Sequence, residues 1–187
     1  MFMQKSFVTT AVAVLALVFG ATFATDAEAG KKARKAPAKS PSVVEVAVAA
    51  NNEINGPYEG QFDILIAAVG AADPIVGAAL SSAGQLTVFA PTDAAFAALL
   101  DELDVELGDL TGNQELLTQV LLYHVAPGRR NSSAVLGSSQ IRMMVSGFVY
   151  QDGGKLVDNN GREVGFVVTD IPASNGVIHV IDRVLLP

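Results

Sequence analysis

The run from Val177 to Leu185, "VIHVIDRVL", narrows the possible folds more than any other stretch of this chain. In a strand, successive side chains point to opposite faces. Val177, His179 and Ile181 then share one face, and Ile178, Val180 and Val184 the other. Both faces are apolar, so neither can be left in water. The segment is expected to be an interior strand with packed material on each side.

The neighbouring sequence says what that material is. From Ile141 onward the chain is strand-like and is punctuated by Asp152-Gly153-Gly154, Asn160-Gly161 and Asn175-Gly176. Such pairs between β-rich runs are the strongest local hairpin signals. The first half has helical character. "FDILIAAVGAADPIVGAALSSAG" predicts two short helices, the second starting at Asp73-Pro74, a capping residue followed by proline at the first helical position. Leu86 to Ala90 reads as a short buried strand ended by Pro91, with Thr92 or Asp93 capping a helix to about Glu102. In "TGNQELLTQVLLYHVAPG", Thr111 with Gln114 fits a capping box and Asn113 is the rival cap. Leu117, Val120, Leu121 and His124 form one helical stripe, so His124 is expected to point into the core. Helices first and an antiparallel sheet later predict an α+β domain.

Residues 1–29 read as a secretory signal peptide. One early cation, Lys5, precedes an uncharged stretch from Ser6 to Thr25, and small residues stand at Ala27 and Ala29. Cleavage after Ala29 is the first choice and after Ala24 the second. Residues 30–42, "GKKARKAPAKSPS", carry five cations and no acid and have the composition of a basic Ala/Pro-rich linker. Retained, the first segment is long enough for a membrane anchor. The cations behind it would then favour a cytoplasmic domain. A single domain, 43–187, follows. The chain has no cysteine, so an exported domain must hold through its core alone, and every Cys-type zinc or redox site is excluded. Half of the 187 residues are apolar, ample for one packed domain. After residue 42, six Lys and Arg face 17 Asp and Glu, a balance of −11. That sign argues against nucleic acid as the main partner.

The two histidines, His124 and His179, lie 55 positions apart in apolar settings. They could be a base with an acidic orienter such as Asp170 or Asp182, metal ligands, or buried struts. A catalytic zinc needs three protein ligands, and no H-E-x-x-H, EF-hand loop or G-x-S-x-G elbow is present. Ser132-Ser133 and Ser138-Ser139 stand in loop-like stretches without a strand-to-helix turn. The acids of "LLDELDVELGDL" read as the solvated face of a helix whose Leu99, Leu103 and Leu107 recur at helical spacing. The strut reading is the simplest: a neutral imidazole donates from one nitrogen and accepts at the other. No catalytic residue, metal ligand or cofactor is expected.

Three stretches resemble the signature of one family. "TVFAPTDAAF" (Thr87, Phe89, Pro91, Thr92, Asp93 and Phe96 within it), "YH" at Tyr123-His124, and "NGVIHVIDRVLLP" with Asn175, Gly176 and His179 are similar, in order and spacing, to the first box, the tyrosine–histidine motif and the second box of fasciclin (FAS1) domains. The resemblance spans Gln61 to Pro187. It implies a wedge of antiparallel β-strands with several helices packed around it, and a non-enzymatic module of cell adhesion. It also implies candidate interaction residues Tyr123 and His124, and Asp170-Ile171 just before the second box, though Pro172 follows where adhesive motifs carry a larger aliphatic residue. Asp170→Ala is expected to leave stability nearly unchanged and to bear on binding instead. The expected protein is a monomeric, secreted, periplasmic or cell-surface module that binds a surface or matrix protein or a polysaccharide and meets a membrane only through an uncleaved signal segment. A second reading is a carrier of an apolar small molecule, in a groove lined by Leu65, Ile66, Val69, Ile75 and Val76.

Overall fold

The structure is a computed structural model and describes residues 40–187 apart from 54–55, 83 and 146. The expected signal peptide, and the expected linker up to residue 39, lie outside the described residues. Helix α1 (Val43–Asn51) is opened by a capping box in which the Ser42 hydroxyl and the Glu45 carboxylate each accept the other's backbone N–H. Helices α2 (Asp63–Ala71) and α3 (Pro74–Leu80) meet at Asp73, whose carboxylate accepts the Ile75 N–H at 2.9 Å. Strand β1 (Leu86–Pro91) leads into α4 (Asp93–Leu103). Thr92 is the cap of α4, and Asp93 instead accepts the Ile64 N–H at 3.0 Å and so ties α4 to the start of α2.

Two local expectations change at the next step. The stripe Leu99–Leu103–Leu107 is broken, because Asp104 takes a left-handed conformation with φ of 53° and ends α4. Leu99 is buried while Leu103 is exposed, and α5 (Leu107–Gly112) starts a new axis. The acids around the break do face solvent. In α6 (Gln114–Tyr123) the cap is Asn113, which accepts the Leu116 N–H at 3.1 Å. Thr111 cannot compete, since its hydroxyl donates back to the Leu107 carbonyl inside α5.

After α6 come β2 (Val125–Pro127), a short α7 (Ser132–Leu136), then β3 (Gln140–Arg142), β4 (Phe148–Asp152), β5 (Lys155–Val157), β6 (Glu163–Val164), β7 (Phe166–Ala173) and β8 (Gly176–Ile181). The three predicted turns are present. Gly153 and Gly154 both have positive φ, as a two-residue hairpin loop demands. The second sheet, β3-β4-β5-β6, is an antiparallel meander. The first sheet, β2-β1-β8-β7, is mixed and not wholly antiparallel: β1 and β8 run parallel, Leu86 opposite Gly176 through Pro91 opposite Ile181. The whole chain between them serves as the crossover that a parallel pair requires.

Every residue of β8 is buried. Ile178 and Val180 pack into the helical core with Val76, Leu117 and Val120. Ile181, with Phe89 and Leu185, packs against Ile141, Val149 and Leu156 of the second sheet. The two apolar faces of this strand are thus the two halves of the core. Among the described residues no single helix is long and apolar enough to cross a membrane.

Candidate functional site

The tyrosine–histidine pair closes α6, where the stripe of Leu117, Val120 and Leu121 faces inward. Tyr123 is fully buried and its phenol donates to the Phe148 carbonyl at 2.6 Å, fixing the first residue of β4. Burial pushes its pKa up to about 12. The His124 ring lies within hydrogen-bond reach of two backbone groups: Nδ1 is 2.7 Å from the Val120 carbonyl, and Nε2 accepts the Leu185 N–H at 2.9 Å. These partners require a neutral ring protonated at Nδ1. His179 has the opposite tautomer. Its Nε2 donates to the Arg130 carbonyl at 2.9 Å and its Nδ1 accepts the Asp170 N–H at 3.2 Å. It stacks on Phe89, ring centroids 5.7 Å apart, and meets Phe166 edge-on. In this arrangement each ring's lone pair is engaged by a backbone N–H, so neither is presented to a metal or a substrate.

Burial lowers the pKa of His124 to about 4. Its unfolded-state value is about 6.5. Between those values the unfolded chain holds the extra proton, so this contribution to stability is complete above pH 6.5 and is lost as pH falls through 4. Urea unfolding at pH 7 and pH 4.5 is expected to differ by about 2–3 kcal/mol in favour of pH 7. Equal free energies at the two values would mean that His124 is not held neutral inside.

Asp170 sits at a bulge in β7 with φ of 65°, and its backbone N–H is the one bound to His179. Its carboxylate accepts both the Ser132 N–H, at 2.7 Å, and the Ser132 hydroxyl. These hydrogen bonds hold its pKa below the usual carboxylate range. Asp170 therefore meets the first turn of α7 alongside the cap Asn131, so it has a local structural contact in addition to its expected place in binding. Ile171 is 8% exposed and packs in the helical core. Of the four candidate interaction residues, Tyr123, His124 and Ile171 are inside, and Asp170 alone reaches solvent.

The boxes are joints between elements. Thr87 donates to the Gly128 carbonyl at 2.7 Å and accepts the Arg130 N–H at 2.9 Å. Phe89 and Phe96 fill the two cores, and Pro91 ends β1 in buried surroundings. Asn175 accepts the Val43 N–H at 2.9 Å and donates to the Leu80 carbonyl at 2.7 Å, tying α1 and α3 to the turn before β8.

Two features went unnoticed in the sequence. Asp158 and Arg162 form a buried pair, and the only signal was the spacing within "DNNGR". Phe148 and Tyr150 stand on the solvent face of β4, 37% and 43% exposed, with Arg142 and Gln140 opposite them on β3. Aromatic residues at two successive outward positions of a strand were the available sign. The groove expected from the sequence is present as a half-open cavity of about 240 Å³ between α1, α2, α3 and the first sheet. Leu65, Ile66, Val69 and Val76 line it as the groove reading expected, whereas Ile75 is 57% exposed and points elsewhere.

The fasciclin domain family matches this chain over residues 60–187. Protein sll1483 of Synechocystis sp. is 41% identical over 143 residues, covering 76% of this chain and 72% of that one. Immunogenic protein MPB70 of Mycobacterium bovis is 35% identical over 106 residues, 57% of this chain and 52% of its own length. The cell surface glycolipoprotein MPB83 of the same species is 33% identical over 108 residues, 56% of this chain and 44% of its own. The match thus spans about half the length of the mycobacterial relatives. Among solved structures, the FAS1 domain pair of the insect cell adhesion molecule Fasciclin I superposes with a TM-score of 0.56 at 17% identity, over 79% of this chain and 51% of that one. That last likeness concerns the fold.

Proposed function

The chain belongs to the fasciclin domain family, and from that premise we propose that it is an extracytoplasmic adhesion module that binds a surface protein through the solvent face of its second sheet. The observation that carries the reading is the exposed pair Phe148 and Tyr150, set opposite Arg142 and Gln140. Tyrosine, phenylalanine and arginine are the residue types enriched at the centres of protein interfaces, and tyrosine and arginine are frequent hot spots. Tyr123 enters this function as a positioning residue: it holds the Phe148 carbonyl, so the motif shapes the face without touching a partner. Export is supported by the signal-like residues 1–29 and by a relative described as a cell surface glycolipoprotein. One modest face gives weak binding, so useful adhesion rests on many copies displayed together.

The test is binding of the purified full chain to immobilised envelope from its own source, before and after protease treatment of the envelope. Saturable binding is expected, removed by the protease and weakened at least tenfold in Tyr150→Ala and Phe148→Ser. Binding that survives proteolysis would assign a polysaccharide instead. Binding indifferent to both substitutions, or none at all, would remove this face from consideration.

A further inference from the structure

We infer that the cavity between α1, α2, α3 and the first sheet is a binding site for an uncharged, hydrocarbon-rich small molecule, independent of the adhesive face. The cavity is built and held open. Helix α1 is pinned at both ends by polar contacts. At its start the Val43 N–H binds the Asn175 side chain and the Ser174 N–H binds the Pro41 carbonyl. At its end Asn51 donates to Asp63 at 2.7 Å and accepts the Phe62 N–H at 2.7 Å. Between these pins α1 turns Val44, Ala47 and Val48 toward the space, and α2 turns Leu65, Ile66 and Val69 toward it from the other wall. These rim residues are half-buried, while the floor, which includes Ala90 and Ile178, is buried. A helix fixed by hydrogen bonds at each end cannot settle inward to fill the gap, which is how an ordinary packing void closes.

The lining sets the ligand's chemistry. Among the described residues it contains no Asp, Glu, Lys or Arg, and the one polar side chain there, His124, has both ring nitrogens engaged by backbone. A carboxylate or phosphate drawn inside would lose its hydration with nothing to replace it. The volume of about 240 Å³ exceeds the roughly 150 Å³ apolar cavity known to take up benzene. It suits a molecule of two or three fused or linked rings, or the equivalent branched hydrocarbon.

The test uses the full chain and the neutral fluorophore N-phenyl-1-naphthylamine. Saturable one-to-one uptake with enhanced emission is expected. Two substitutions from opposite walls, Ala47→Phe and Val69→Phe, fill the space and are expected to weaken uptake at least tenfold in whichever of them keeps the circular dichroism spectrum and thermal midpoint of the parent. 1-Dodecanol should displace the dye at least tenfold better than dodecanoate. Uptake that is absent, or unchanged in a folded filled variant, would overturn the site. Equal displacement by alcohol and carboxylate would overturn the assignment of an uncharged ligand.

Discussion

Replacing Gly176 by alanine is expected to destabilise the domain by about 3–4 kcal/mol, more than a single added methyl normally does. A Cβ at this position would lie 2.3 Å from the Leu86 carbonyl oxygen and 3.0 Å from its carbon. These atoms are backbone, and they belong to β1, the parallel partner of β8, in register Leu86 opposite Gly176. No side chain can rotate away to make room. The two strands must separate where the Leu86 N–H is also bound to the Asn175 carbonyl at 2.9 Å, and both strands lie between the two cores. The thermal midpoint should fall by roughly 10 °C. Gly77→Ala is the control: it is helical with open space around it and should be neutral or stabilising by up to about 1 kcal/mol. A Gly176→Ala protein as stable as its parent would show that the close approach of β1 and β8 is not obligatory.

That glycine also shows where reading the sequence succeeds and where it stops. Asn175-Gly176 was legible as a hairpin signal, and the hairpin is there, but the loop residues are Ser174 and Asn175. Gly176 is needed for a contact with a strand 90 positions away, which no local pattern records. The same division runs through the molecule. The caps at Asp73 and Thr92 and the two-faced burial of β8 follow from short-range preference and period, and they are present. The parallel pairing of β1 with β8 depends on which distant segments meet. Ile171 is inside because the register of β7 slips on either side of Val168, and one such slip changes which side chains face the core. The motif residues were visible as residues, yet their roles as joints became visible only when the partners Phe148, Leu185, Arg130 and Ser132 were in place.

The second large effect is expected at Asp158. Its side chain is buried, 2% exposed, and accepts three backbone donors, the Asn160 and Arg162 N–H groups at 2.9 Å each and the Leu186 N–H at 3.1 Å, and it forms an ion pair with the Arg162 guanidinium at 3.2 Å. Arg162 in turn donates to the Val184 carbonyl at 2.5 Å and pairs with Glu102. Asp158→Ala leaves three backbone donors without their acceptor and a largely buried guanidinium without one of its two carboxylates. Breaking one side of such a pair typically costs about 3–5 kcal/mol, and the value here should fall in that range. Asp158→Asn keeps one acceptor oxygen and should lie between. The C-terminal segment is then the part that loosens, because its successive amides are held by two side chains, Leu185 by His124 and Leu186 by Asp158. The two restraints act on one stretch of backbone, so their losses cannot be independent. The double variant His124→Ala/Asp158→Ala should be less destabilised than the two single effects added together, by about 1–2 kcal/mol. Hydrogen exchange should show the Leu185 and Leu186 amides losing protection together in either single variant. Strict additivity, with each amide responding only to its own partner, would mean that the histidine of the motif and the buried aspartate stabilise separate places and not one clasp over the chain's end.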